Sequence, residues 1–188
     1  MSLFEEQLGE WKTVSRGEGV AWLSVYGLFL LYAANNRSGF LFPDYVNLII
    51  HEAGHLFFSW FGRTVTILGG TLGELLVPLL CAAYFACARE VTGFTFASFW
   101  FFENFPYIGV YMTDARAQAL PLVSVGGGGD GDEHDWRNLF GQWGLLAHDR
   151  QIGGLTVALG WMGMLAVVAW FAWRVRWRVR AGEDGPGD

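Results

Sequence analysis

The chain has 188 residues, of which 53% are hydrophobic and 17% aromatic, and it carries a formal net charge of -6. One soluble core cannot cover that much apolar surface in a chain of this length, so the composition excludes an ordinary soluble domain and indicates a membrane protein. The negative charge, with basic residues clustered only near the C-terminus, argues against nucleic acid as a partner and leaves membrane lipid as the expected surroundings.

Five segments are apolar enough, and nearly or fully long enough, to be predicted as membrane-spanning helices, so the expected fold is all-α and polytopic. Between the third and fourth segments stands only "REV", which predicts an antiparallel hairpin. The last segment ends in "RVRWRVR", and arginine with tryptophan is typical of a membrane-water boundary. The predicted spans are 20–34, 45–62, 66–88, 92–112 and 155–173.

The other segments are predicted to flank or interrupt a single membrane domain, residues 20–173. Residues 1–19 form a polar N-terminal segment, and residues 174–188 form a basic and then acidic tail that is predicted to be disordered. Residues 115–153 contain a glycine-rich acidic loop followed by apolar residues at helical spacing, which predicts an amphipathic helix at the membrane surface. The dense arginines after the last span favour a cytoplasmic C-terminus.

The second span contains three ionisable residues in "IIHEAGHLFF". His51 and His55 are four residues apart, so they project from one helix face and can bind the same metal ion. Glu52, beside them, can take a proton from water on that metal. The alternative is a pair of histidines that are hydrogen-bonded inside a helix bundle, but charge within lipid is costly and is usually functional. The pattern therefore predicts a site for one Zn²⁺ ion.

A catalytic zinc usually has three protein ligands, so His51 and His55 need a partner. The preferred candidate is His134, at the start of the predicted surface helix, because the glycines at 126–129 can carry it back towards the bilayer. The other candidates are Asp114, Asp135, His148 and Glu74.

Two later spans also carry polar residues. Glu74 lies inside the third span, where it can face the metal or pair with an arginine at the membrane boundary. Glu103 and Asn104 lie near the middle of the fourth span, where Pro106 interrupts the backbone hydrogen bonds. A broken polar helix normally lines a cavity, which predicts contact with substrate, and the alternative is a polar crosslink between helices.

The blocks "HEAGHLFFSWFG", "LGGTLGELLVPL", "YMTDARAQALPL" and "HDWRNLFGQWGLL" together resemble a group of small bacterial membrane proteins that carry HEAGH. That group is similar to the site-2 protease superfamily of intramembrane zinc metalloproteases. The resemblance implies zinc on His51 and His55, Glu52 as general base, and a transmembrane protein as substrate. It also implies a location in a bacterial inner membrane. The third ligand of the superfamily is normally an aspartate in an LDG-type motif, which is missing here, and Asp114 is the nearest positional equivalent.

The expected function is therefore hydrolysis of a peptide bond in a membrane-embedded substrate. Two other classes of protein remain open. A metal carrier or an assembly factor would use the histidines, with Glu52 only as a carboxylate partner. A structural subunit of a membrane complex would use its aromatic residues and glycines for packing and would bind no metal.

Overall fold

The computed structural model describes residues 11–36, 39–120 and 134–183, with only the backbone of 176–183. Every regular element in these ranges is helical, as predicted. The α-helices of the described ranges are Arg16–Asn35 (α1), Asp44–Phe58 (α2), Arg63–Cys87 (α3), Val91–Thr113 (α4), Asp135–Gln142 (α5) and Asp149–Glu183 (α6). Short 3-10 turns, Ser59–Phe61 and Leu146–His148, precede α3 and α6.

Among the described residues, three helical segments are long and apolar enough to cross a membrane: α1, α3 and Leu146–Val175. Helix α2 has 15 residues, which extend about 22 Å at 1.5 Å per residue and fall short of the hydrocarbon thickness of about 30 Å. Helix α4 is long enough, but Glu103 and Asn104 lower its hydropathy. A helical membrane protein is therefore supported, and the predicted count of five spans is not confirmed.

The last helix extends beyond its predicted span at both ends. It begins at Asp149 and continues to Glu183, whereas the sequence predicted a span over 155–173 and then a disordered tail. Residues 174–181 contain neither glycine nor proline, so nothing in the backbone ends the helix at Trp173. The predicted flexible glycines at 126–129 and the final residues, 184–188, lie outside the described residues, as do residues 1–10 of the predicted polar N-terminal segment.

Helix α4 packs along α6 more extensively than any other pair of helices does in the described ranges. A Cβ atom at Gly109 would lie 2.6 Å from the backbone oxygen of Gly153, and a Cβ atom at Gly153 would lie 2.4 Å from that of Gly109. The two backbones are therefore in direct contact, as small residues permit between membrane helices. Helix α1 joins this pair through Tyr26, which packs against Phe99 and Phe171.

Helices α2 and α3 form a hairpin, and α3 packs in turn on α4. Helix α5 lies against α3 and α4, with Trp136, Leu139 and Phe140 buried in a cluster that includes Ile108 and Met112. The predicted amphipathic helix is thus present, and its apolar face packs on the protein. This docking brings the first residue of α5 beside the middle of α2.

Candidate metal centre

The two histidines of α2 are each held through the Nδ1 atom of the ring. Nδ1 of His51 lies 3.1 Å from Oε1 of Glu74 on α3. Nδ1 of His55 lies 2.8 Å from the backbone oxygen of Thr66. A carbonyl oxygen can only accept, so His55 donates its Nδ1–H to Thr66. Partners of this kind fix the orientation of an imidazole and leave its Nε2 lone pair available to a metal ion.

Both Nε2 atoms face one carboxylate oxygen. Oδ2 of Asp135 lies 2.9 Å from Nε2 of His51 and 3.2 Å from Nε2 of His55. One donor atom from each of these three residues lies within 4.8 Å of the other two. Because His55 has its proton on Nδ1, its Nε2 atom presents a lone pair to Oδ2 of Asp135, which is also an acceptor. Two acceptors lie this close in a buried site only when a positive charge lies between them. The site therefore requires an added proton or a metal ion between these atoms.

Asp135 is presented as an anion at the first turn of α5. Burial would raise the pKa of its carboxyl group, but the hydrogen bonds and charges of His51 and His55 outweigh burial and hold the pKa below its usual range. The backbone N–H of Asp135 donates to the hydroxyl of Tyr111 at 3.1 Å. The carboxylate is thus oriented and deprotonated, which is the state that binds metal.

His134, the preferred third ligand in the sequence analysis, turns away from the two histidines of α2. Its Nδ1 accepts the backbone N–H of Arg137, and its ring stacks on Tyr111 with centroids 4.1 Å apart. Burial lowers the pKa of this ring, against the charges of Asp114 and Asp135. The structure therefore offers Asp135 in place of His134 as the third donor, because His134 is engaged in capping α5.

Two further candidate ligands, Asp114 and His148, also lie elsewhere. Asp114 accepts the backbone N–H groups of Ala119 and Leu120, so its carboxylate organises the turn after α4. It lies 3.6 Å from Nε2 of His134, not beside the histidines of α2. His148 is exposed and pairs with Gln151. Neither residue belongs to the group of three donor atoms.

Glu52, the predicted general base, is half-buried next to His51. It makes no hydrogen bond or ion pair with another described residue, and its charge acts on the phenols of Tyr107 and Tyr111. The ring of Tyr111 lies 6.2 Å from that of His51, between centroids. An uncommitted carboxylate one residue along α2 from His51 is available for a proton-accepting role.

Close approach of α2 and α3 shapes the centre. A Cβ atom at Gly70 would lie 2.5 Å from Nε2 of His51, and one at Gly54 would lie 2.2 Å from the backbone oxygen of Gly69. The small residues therefore bring α3 near enough for Glu74 to reach the ring of His51.

The polar residues of α3 and α4 that the sequence analysis named are buried, and they contact different parts of the protein. Glu74 contacts His51, and its second oxygen, Oε2, has no hydrogen-bond partner in the described ranges. Glu103 accepts from Asn47 of α2 at 3.1 Å. Asn104 donates to the backbone oxygen of Trp100, within its own helix. Glu74 thus belongs to the candidate metal centre, and Glu103 to a separate polar cluster.

Two residues that contact the candidate metal centre, Thr66 and Tyr111, were not predicted from the sequence. Thr66 provides a backbone oxygen, for which no pattern of side chains is a signal. Tyr111 positions Asp135 through its hydroxyl, and the only hint in the sequence is a polar aromatic residue three positions before Asp114 in "YMTDARAQ".

Comparison with family models, curated proteins and solved structures found no match to this chain. The resemblance to intramembrane metalloproteases therefore stays a hypothesis. The chemistry of the site follows from its own donor atoms, two imidazole nitrogens and one carboxylate oxygen, and this set suits a zinc ion.

Proposed function

We propose that this protein is a membrane-embedded zinc hydrolase that cleaves a peptide bond of a transmembrane protein substrate. The observation that carries the proposal is the approach of the two Nε2 atoms, of His51 and His55, to one point, Oδ2 of Asp135, at 2.9 and 3.2 Å. Each imidazole is already held through Nδ1, so its free lone pair faces that point. Two imidazoles and a carboxylate form a typical ligand set for a catalytic zinc with one open position.

A zinc ion bound there would acidify a water molecule and polarise the carbonyl group of a substrate. Glu52 would take the proton of the attacking water and return it to the leaving amine. Glu74 and Thr66 would fix the orientation of the imidazole rings of His51 and His55, and Tyr111 would fix the first turn of α5. Reaction geometry depends on such outer partners as well as on the ligands themselves.

The site of action is part of the same proposal. The three candidate spans support a membrane location, and the arginines that follow the last span favour a C-terminus in the cytoplasm. The resemblance to bacterial membrane proteins favours the inner membrane of a bacterium. A fluorescent protein fused after residue 188, of a kind that folds only in the cytoplasm, is expected to fluoresce. A fusion that stays dark while the membrane protein accumulates contradicts this orientation.

A metal-free structural role is the alternative that the distances favour most. Oδ2 of Asp135 lies within hydrogen-bond distance of both Nε2 atoms, so two imidazolium rings paired with this carboxylate would also satisfy the site. Such a buried ion network joins α2 to α5 without any chemistry. Metal analysis separates the two possibilities.

The first experiment measures zinc by elemental analysis in detergent-purified wild type, His51→Ala, Asp135→Ala, His134→Ala and Glu52→Gln. We expect near-stoichiometric zinc in the wild type, in Glu52→Gln and in the matched neighbour His134→Ala, and loss of zinc in the other two. A wild type that stays metal-free after apo protein has been offered zinc contradicts the proposal and favours the ion network.

The second experiment tests the reaction in proteoliposomes that contain a quenched fluorescent peptide with one transmembrane segment. Cleavage is expected for the wild type and not for Glu52→Gln, while both bind zinc. Equal cleavage by both proteins contradicts the assigned base. Zinc binding without cleavage by either of them favours a metal-binding protein that is not an enzyme.

A further inference from the structure

A second group of buried polar side chains lies between α2 and α4. It comprises Asp44 and Asn47 at the start of α2, with Trp100 and Glu103 on α4. Asp44 is 1% exposed, Asn47 0% and Glu103 3%. The proposed hydrolase mechanism uses none of these residues, and the position of the group in a membrane protein makes its polarity costly.

The indole of Trp100 determines which way the amide of Asn47 points. An indole N–H can only donate, and Nε1 of Trp100 lies 2.8 Å from Oδ1 of Asn47, so the opposite end of the amide is the NH₂ group. That group donates to Oδ1 of Asp44 at 3.2 Å and to Oε2 of Glu103 at 3.1 Å. One amide therefore holds two carboxyl groups together.

The shared amide also brings the two carboxyl groups close to each other in a space where both are almost fully buried. Two ionised carboxylates held there would repel each other with little water to screen them, and a proton on one of them removes that repulsion. Oε1 of Glu103 is fully buried and has no hydrogen-bond partner in the described ranges, so it is available to carry that proton.

The surrounding charges favour the same state. The groups whose charges act on Glu103 are Asp44, at the start of α2, and Glu74, on α3. Both are negative when ionised, so full ionisation of Glu103 would place like charges close together in a buried space. Neighbouring carboxyl groups in that position retain a proton that isolated ones would lose.

We propose that Asp44 and Glu103 form a proton-binding site, in which one proton is shared between the two carboxyl groups while Asn47 and Trp100 hold them in place. The ligand is a proton, and the site does not depend on the proposed zinc chemistry, because neither carboxyl group contacts His51, His55 or Asp135. When the proton is released, two adjacent buried anions remain between α2 and α4.

Infrared spectroscopy tests the shared proton directly. Detergent-purified wild type, Glu103→Gln and the exposed control Glu18→Gln are compared at neutral pH in H₂O and in D₂O. We expect the wild type and Glu18→Gln to show a protonated-carboxyl C=O band that shifts in D₂O, and Glu103→Gln to lose intensity in that band. A band that is equally strong in all three proteins overturns the proposal.

Thermal unfolding provides a second measurement. The unfolding midpoint of wild type and Glu18→Gln is expected to fall between neutral and alkaline pH, because loss of the proton leaves two buried anions. The midpoint of Glu103→Gln should fall much less over the same pH interval. If Glu103→Gln does not fold, Asp44→Asn replaces it, with the same small fall expected. An equal fall in all of these proteins overturns the proposal, whether or not zinc is bound.

Discussion

Oε1 of Glu74 lies 3.1 Å from Nδ1 of His51, and both side chains are buried although 23 residues separate them in the chain. A carboxylate behind an imidazole fixes the ring and raises its basicity towards a metal on the opposite nitrogen. The contact therefore couples α3 to the donor atom that His51 presents.

Replacement of Glu74 tests this coupling. We expect Glu74→Leu to weaken zinc binding by about 10–100-fold, the usual effect of losing such a partner. Glu74→Gln keeps an oxygen that can accept from Nδ1–H, so it should bind with intermediate affinity. The measurement is competition for zinc with a chromophoric chelator, with the exposed Glu18→Gln as control. Equal affinities for all three variants and the wild type contradict the role of Glu74.

Replacement of Asp135 tests the third ligand against a nearby aspartate. Asp135→Asn removes the negative oxygen that faces both Nε2 atoms, so zinc retained after dialysis should drop from near-stoichiometric to near zero. Asp114→Asn should keep its zinc, because that carboxylate binds backbone N–H groups after α4. The reverse result, with zinc lost only in Asp114→Asn, would restore the alternative that the sequence resemblance suggested.

Gly70 should tolerate no larger residue. A Cβ atom there would meet the ring of His51 at 2.5 Å, so Gly70→Ala must displace either the ring or α3. Overpacking of this kind costs about 1–3 kcal/mol, and we expect a lower unfolding midpoint together with weaker zinc binding. Gly27→Ala on α1 is the control, because a Cβ atom there has nothing within 4 Å. A Gly70→Ala protein that matches this control contradicts the packing.

Adjacent glycines on α6 provide an internal comparison for the contact with α4. A Cβ atom at Gly153 would lie 2.4 Å from the backbone oxygen of Gly109, whereas one at Gly154 has nothing within 4 Å. Gly153→Ala should therefore lower the unfolding midpoint in detergent, and Gly154→Ala should leave it unchanged or raise it slightly. Similar midpoints for the two variants would show that α4 and α6 are not in backbone contact.

Local features were predictable from the sequence. Helix periodicity places His51, Glu52 and His55 on neighbouring positions of one helix whatever the rest of the chain does. Apolar runs likewise predict helices close to α1, α3 and α4. Membrane spanning is less local: α2 is too short by itself, and the polar residues of α4 reduce its hydropathy, so helix existence was easier to predict than the number of spans.

What the sequence by itself determined is therefore a helical membrane protein with two histidines and a glutamate on one helix, because these depend on spacing within a few turns. Only the tertiary structure decided that Asp135 and not His134 faces the two histidines, and that Glu74 supports His51. Successive residues of a helix point about 100° apart, so the direction of each side chain at the start of α5 depends on how Trp136, Leu139 and Phe140 dock. That docking arises from contacts between distant segments, which no local pattern encodes.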